Sequence, residues 1–69
     1  MAVSYNKLWK LLIDKGMTKT ELRKATDMST TTLAKLGKNE TVSMEIMLRV
    51  CKTLECDIGD IMEITVPEI

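Results

Sequence analysis

The sequence predicts an all-α domain built from five short helices. Along most of the chain, apolar residues recur at the three- and four-residue spacing of a single helix face. A start signal also recurs, in which an apolar residue precedes a Ser, Thr or Asp cap and another apolar residue occupies the fourth helical position. At 69 residues the chain has room for one small domain, which we assign to residues 1–69 with a helical core at about 4–62.

Helix 1 is predicted over residues 5–15. Ser4 is its expected N-cap, and Gly16 is expected to end it in a left-handed conformation. One apolar stripe should face the core, formed by Tyr5, Leu8, Trp9, Leu12 and Ile13.

Helix 2 is predicted over residues 19–26. Thr18 and Glu21 have the T-x-x-E spacing of a capping box, in which each side chain accepts a hydrogen bond from the other residue's backbone N–H. Leu22 and Ala25 are expected to face inward.

The same start signal places the three remaining helices. It predicts helix 3 over residues 30–36 after the Ser29 cap, helix 4 over 44–54 after Ser43, and helix 5 over 58–62 after Asp57.

The tail, residues 63–69, reads EITVPEI. Ile64 and Val66 alternate as in a short strand ended by Pro67. Chain ends usually fray in water, and we favour fraying, while an apolar tail could also pack against a second copy.

The net charge of zero conceals a charge asymmetry. Residues 1–38 carry eight Lys and Arg against three Asp and Glu, a net charge of +5, whereas residues 39–69 carry two against seven, a net charge of −5. Such asymmetry is a cue for interaction with nucleic acid or a membrane surface, although solvated helix faces can segregate charge by chance.

Composition argues against several other classes. The chain has no His and no Gly-rich phosphate loop, and the spacing of Cys51 and Cys56 fits no zinc or redox motif. We therefore expect no enzyme, metal or cofactor. The chain also lacks an apolar run of transmembrane length and a secretory signal, which favours a cytoplasmic protein with reduced thiols.

Helices 2 and 3 are separated by residues 27–29 alone, which is the arrangement of a helix-turn-helix. Asp27 occupies the position where such a turn needs a residue tolerant of the left-handed conformation. The order of these features resembles the phage-repressor-like (Xre/Cro-type) family, over about residues 4–62. The matching features are Met17-Thr18, Glu21-Leu22, the Ser29 cap, Leu33 and Leu36 in helix 3, and the stretch from Leu54 to Ile58 after helix 4.

The resemblance implies a compact, five-helix lambda-repressor-like domain that binds operator DNA, usually as a dimer, and regulates transcription. By the same resemblance, helix 3 would enter the major groove with Thr30, Thr31 and Lys35 against base edges. Phosphate contacts would come from Lys19, Ser29, Thr32, Lys38 and Asn39. The implied partners are double-stranded DNA and a second copy, without a membrane or a small-molecule substrate.

Two residues, Asp27 and Arg23, depart from the family pattern. Asp27 replaces the tight-turn Gly of many members and adds a negative charge near the DNA. Arg23 stands where many members have Ala, and it could extend along the core edge into water, pair with Asp27, or reach a phosphate.

The alternative function is a small protein-interaction module, such as an antitoxin-like or anti-repressor domain. For a dimer, the acidic half, helix 5 and the tail are the candidate contacts.

Overall fold

The structure is a computed structural model that describes residues 2–66. The described elements are β1 (Ala2–Ser4), α1 (Asn6–Lys15), α2 (Lys19–Thr26), α3 (Thr30–Gly37), α4 (Met44–Leu54), a 3-10 turn (Ile58–Asp60) and β2 (Glu63–Thr65). Helices 2, 3 and 4 are thus confirmed with bounds within one residue. No helix in this part of the chain is both long and apolar enough to cross a membrane.

The all-α, five-helix description is wrong in two respects: the predicted fifth helix is a 3-10 turn, and the two ends of the described chain form a small antiparallel sheet. β1 and β2 pair in the register Ala2 with Thr65, Val3 with Ile64, and Ser4 with Glu63. The Thr65 hydroxyl adds a hydrogen bond of 3.2 Å to the Ala2 carbonyl. The favoured fraying of the tail is therefore wrong for residues 63–65, while residues 67–69 lie outside the described part.

The predicted fifth helix is a single 3-10 turn. Asp57 caps it as expected, since its side chain accepts from the Ile58 N–H at 2.8 Å and its own N–H donates to Asp60 at 3.0 Å. Ile61 is fully buried directly after the turn. A segment of three residues offers too few i to i−4 bonds for an α-helix, so the tighter 3-10 form results.

Helix α1 begins one residue later than predicted, and its expected cap is wrong. Tyr5 is the N-cap and has no side-chain cap bond, whereas Ser4 lies in β1. The Tyr5 N–H instead donates to the Asn39 Oδ1 at 3.1 Å. Gly16 does end the helix in the left-handed region, at φ +67°.

The core lies where the four helices meet. Its buried members are Tyr5, Leu8, Leu12, Leu22, Met28, Leu36, Met47, Val50, Leu54 and Ile61. Ile13 was predicted to belong to it but is 77% exposed. Leu11 packs against the core from the other side of α1, so the buried arc is displaced away from Ile13.

Helix α2 packs mainly against α4. Leu22 is fully buried as predicted, but Ala25 is exposed, and the inward position one turn after Leu22 belongs to Thr26. The Thr26 hydroxyl donates to the Leu22 carbonyl at 2.8 Å. A buried Thr is tolerated there because its hydroxyl is satisfied within the helix.

Candidate nucleic-acid interface

The turn between α2 and α3 is tight because its residues satisfy the end of α2. Asp27 adopts φ +56° and ψ +36°, and its N–H donates to the Lys24 carbonyl. The Met28 N–H reaches back to the Arg23 carbonyl at 3.1 Å, while the Met28 side chain is buried. These two bonds and the buried apolar residue are those of a Schellman ending. The left-handed position predicted for Asp27 is confirmed.

Ser29 then starts α3. Its backbone is extended, and its Oγ accepts from the Thr32 N–H at 3.1 Å. The hydroxyls of Ser29 and Thr32 also lie 3.0 Å apart, where either can donate. Two of the residues predicted to contact phosphate are therefore bonded to each other at the N-terminus of α3, where the helix dipole favours an anion.

One face of α3 is exposed along the length of the helix. Thr30, Thr31 and Lys35, the predicted base-contacting residues, all lie on it. Leu36 is buried and Leu33 packs half-buried against the core, so α3 is held by the opposite face. Ala34 is also exposed between Thr30 and Lys35, and our sequence reasoning missed it although the helical period places it there.

The start of α2 carries Lys19, whose ammonium lies over the Trp9 ring at 4.4 Å from its centroid. This cation–π contact ties the helix start to α1. The predicted capping box is confirmed beside it. The Thr18 N–H donates to Glu21 at 3.0 Å and the Glu21 N–H donates to the Thr18 Oγ1 at 3.1 Å. The backbone bond from Thr18, followed by its side-chain bond, lowers the pKa of Glu21.

The loop after α3 holds the last two predicted phosphate contacts. Lys38 is exposed at the end of the helix. Asn39 has φ +56°, and its side-chain oxygen is occupied by the Tyr5 N–H, which leaves its NH₂ group as the donor for any further contact. The structure therefore gives Asn39 a structural bond that spans 34 residues of sequence.

The structure also describes the surroundings of three other basic residues, Lys7, Arg23 and Arg49. The Lys7 ammonium donates to the Gly59 carbonyl at 3.2 Å. Arg23 is half-buried and forms no ion pair with Asp27. Among residues 2–66, the ion pair within 4.0 Å joins Arg49 to Glu45 on α4.

A family model of the Cro/C1-type helix-turn-helix DNA-binding domain matches residues 7–67. The chain belongs to this family. The two helices and left-handed turn described above are therefore the helix-turn-helix of a Cro/C1-type domain.

A solved structure supports the same assignment for this Cro/C1-type domain. The crystal structure of transcriptional regulator VanUg, Form II, is similar to it with a TM-score of 0.91 and 60% sequence identity. The match covers 97% of this chain and 88% of that one. No curated protein matches the chain.

Proposed function

We propose that this Cro/C1-type domain is a sequence-specific transcriptional regulator, acting as a repressor, that inserts α3 into the DNA major groove. The observation that carries the proposal is the exposed face of α3. Thr30, Thr31 and Lys35 share it directly after a tight turn, and all three side chains are exposed. The likeness to a transcriptional regulator supports the regulatory role.

The side chains on this face have the chemistry of base readout. Lys35 can donate to the O6 and N7 acceptors of guanine. Thr30 and Thr31 offer a hydroxyl for hydrogen bonding and a methyl group for the thymine methyl, and Ala34 adds a second methyl surface. A good contact of this kind discriminates by about 1–3 kcal/mol against the wrong base.

Phosphate contacts would orient α3 without reading sequence. Lys19 at the start of α2, Ser29 and Thr32 at the start of α3, and Lys38 with Asn39 after it are the proposed donors. The Ser29 and Thr32 hydroxyls share one hydrogen bond, in which either can donate. The proton of the other hydroxyl is then available to donate to a phosphate oxygen.

The zero net charge predicts modest non-specific affinity, because neutralised phosphates supply most of that affinity. Specific binding would then depend on the base contacts and on a second subunit. We propose a homodimer that reads two half-sites about 34–36 Å apart, or a multiple of that, and represses by occupying the operator in the cytoplasm.

Selection of bound sequences from a random duplex pool, at two salt concentrations, tests the proposal. We expect one enriched motif at both salts. Lys35→Ala should change the motif at one position, while the matched control Lys52→Ala, which removes the same charge from an exposed site on α4, should leave it unchanged. Failure to enrich any motif would instead favour the protein-interaction module.

A further inference from the structure

The two cysteines of the chain meet where α4 ends. On a continuous helix, their separation of five residues would place them about 140° apart around the axis, on different faces. The helix instead ends at Leu54, and Glu55 turns the chain back with a left-handed backbone at φ +53°. The Cys56 N–H then donates to the Cys51 carbonyl at 3.0 Å. In a helix ending of this kind, the side chain that follows the left-handed residue packs back onto the last helical turn.

The backbone at this ending is compatible with a bond between the two sulfur atoms. The hydrogen bond of 3.0 Å between Cys56 and Cys51 limits the separation of their Cα atoms to about 7 Å. Disulfides join Cα atoms that lie about 4.4–6.8 Å apart. Pairing of the two thiols therefore requires little movement of the chain.

The surroundings of the two thiols also bring them together. Both are free and partly buried, and both pack against the edge of the core. Burial, followed by the adjacent Cys51 thiol and the Asp60 carboxylate, raises the pKa of Cys56, while the Lys15 ammonium lowers it. Among residues 2–66, no cluster of three or more potential metal ligands includes either cysteine. The pair is therefore a dithiol rather than part of a metal site in this part of the chain.

We propose that Cys51 and Cys56 are a reversible modification site, at which oxidation by a small-molecule disulfide such as oxidised glutathione joins the two sulfur atoms. One cysteine thiolate attacks a sulfur atom of the small disulfide, which forms a mixed disulfide and releases one small thiolate. The second cysteine thiolate attacks the protein sulfur of the mixed disulfide and releases the other small thiolate. The two cysteines lose two electrons and two protons, which leave on two molecules of the small thiol. This role is separate from the proposed DNA binding and does not depend on it.

Closure of the pair should stabilise the fold. The native chain already holds the two thiols together, whereas the unfolded chain must first close the loop over residues 51–56. The entropy of closing a loop of this length corresponds to a factor of about 40, which any strain in the native geometry reduces. We therefore expect disulfide formation to be about 10- to 40-fold more favourable in the native chain than in the unfolded chain. By linkage, the oxidised chain should have a Tm that is higher by about 6–17 °C.

The test equilibrates the 69-residue chain with mixtures of reduced and oxidised glutathione, in buffer and in unfolding concentrations of urea. Acid quenching, alkylation of the free thiols and mass spectrometry then identify the products. The expected product has lost two hydrogen atoms and carries no glutathione. Cleavage after Lys52 separates the two cysteines into different peptides, which the disulfide should hold together. Half-oxidation in buffer should need a ratio of oxidised to squared reduced glutathione about 10- to 40-fold lower than in urea.

Three variants provide the controls. Cys51→Ser and Cys56→Ser should each stop at the mixed disulfide with glutathione, since no second thiol can displace it. The double variant Thr53→Cys, Cys56→Ser keeps two thiols, but residues two positions apart on α4 do not face each other. It should form no internal disulfide while folded.

Three results would overturn the proposal. In the first, native wild type stays reduced, or accumulates glutathione adducts and disulfide-linked dimers instead of the internal disulfide. In the second, the internal disulfide forms no more readily in buffer than in urea. In the third, oxidation lowers the Tm, which would show that the fold holds the two sulfur atoms apart.

Discussion

Asn39 links the start of α1 to the loop after α3, and its substitution separates two physical contributions to stability. Its backbone occupies the left-handed region at φ +56°, and its Oδ1 accepts from the partly buried Tyr5 N–H at 3.1 Å. Asn39→Ala removes the acceptor and also puts a Cβ-bearing residue without a polar side chain into that region. Asn39→Gly removes the acceptor alone, and Asn39→Asp keeps both features.

The expected magnitudes differ among the three variants. Loss of the hydrogen bond decreases the free energy of unfolding by about 0.5–1.5 kcal/mol, and the left-handed conformation costs Ala about 1 kcal/mol more. Asn39→Ala should therefore destabilise by about 2 kcal/mol and Asn39→Gly by about 1 kcal/mol. Asn39→Asp should be neutral or stabilise by about 0.3–1 kcal/mol, because its charge lies at the N-terminus of α1.

Urea unfolding followed by the fluorescence of the single Trp measures these differences as shifts of the midpoint at constant m-value. For a domain of this size, about 2 kcal/mol also corresponds to a decrease of about 8–16 °C in Tm. Thr41→Ala is the matched control, since Thr41 lies exposed in the same loop and makes no side-chain hydrogen bond to the described residues.

Equal destabilisation by Asn39→Ala and Asn39→Gly would refute the contribution of the left-handed conformation. An Asn39→Ala variant as stable as Thr41→Ala would refute both contributions. If Asn39 also contacts phosphate, Asn39→Asp should bind DNA more weakly than wild type although it is at least as stable, since its added charge faces the backbone of the DNA.

Three further predictions follow from the core, the buried phenol and the start of α2. Leu22→Ala should decrease the free energy of unfolding by about 2–5 kcal/mol. Ile13→Ala, at a 77% exposed site, should change it by less than about 0.5 kcal/mol. Urea titrations of the two variants measure the difference. Burial raises the pKa of Tyr5, so the native protein keeps the phenol proton to higher pH than the unfolded protein does. The free energy of unfolding should therefore fall as pH rises above about 10. Tyr5→Phe should remove this dependence in pH-jump unfolding measurements. Lys19→Ala should weaken binding to selected and random duplexes alike and reduce the salt slope by about 1, and the emission of Trp9 should change with the loss of its cation.

Local chemistry explains why the helix starts could be predicted from sequence. The cap bonds at Thr18, Ser29 and Ser43 each join residues three positions apart, so the sequence spacing contains the whole interaction. The left-handed turn at Asp27 is similarly local. These features determine the helix-turn-helix, which is why the family resemblance could be recognised.

The features that could not be predicted depend on distant parts of the chain. Tyr5 starts α1 because Asn39 accepts its N–H, and β2 becomes a strand because residues 2–4 pair with it. The spacing around Ile64 is the same whether or not a partner strand is present, so sequence alone could not decide between a strand and a frayed end. A 3-10 turn and a one-turn α-helix at Ile58–Asp60 likewise have the same sequence signal.

The exposed positions of the candidate site followed from helical periodicity. Thr30, Thr31 and Lys35 lie on the exposed face of α3 as that period required. Ala34 lies on the same face, but its methyl group has no hydrogen-bonding atom that would mark it as a base contact. The contacts of these residues with bases stay predictions, because they depend on the angle at which α3 enters the groove.

The most direct test of the proposed readout by α3 is the affinity of wild type and Lys35→Ala for the selected duplex and for each of its single-base-pair variants. We expect Lys35→Ala to lose about 1–3 kcal/mol of discrimination at one base pair and to retain it at the others. An equal loss of affinity for every duplex, random sequences included, would contradict it and make Lys35 a phosphate contact.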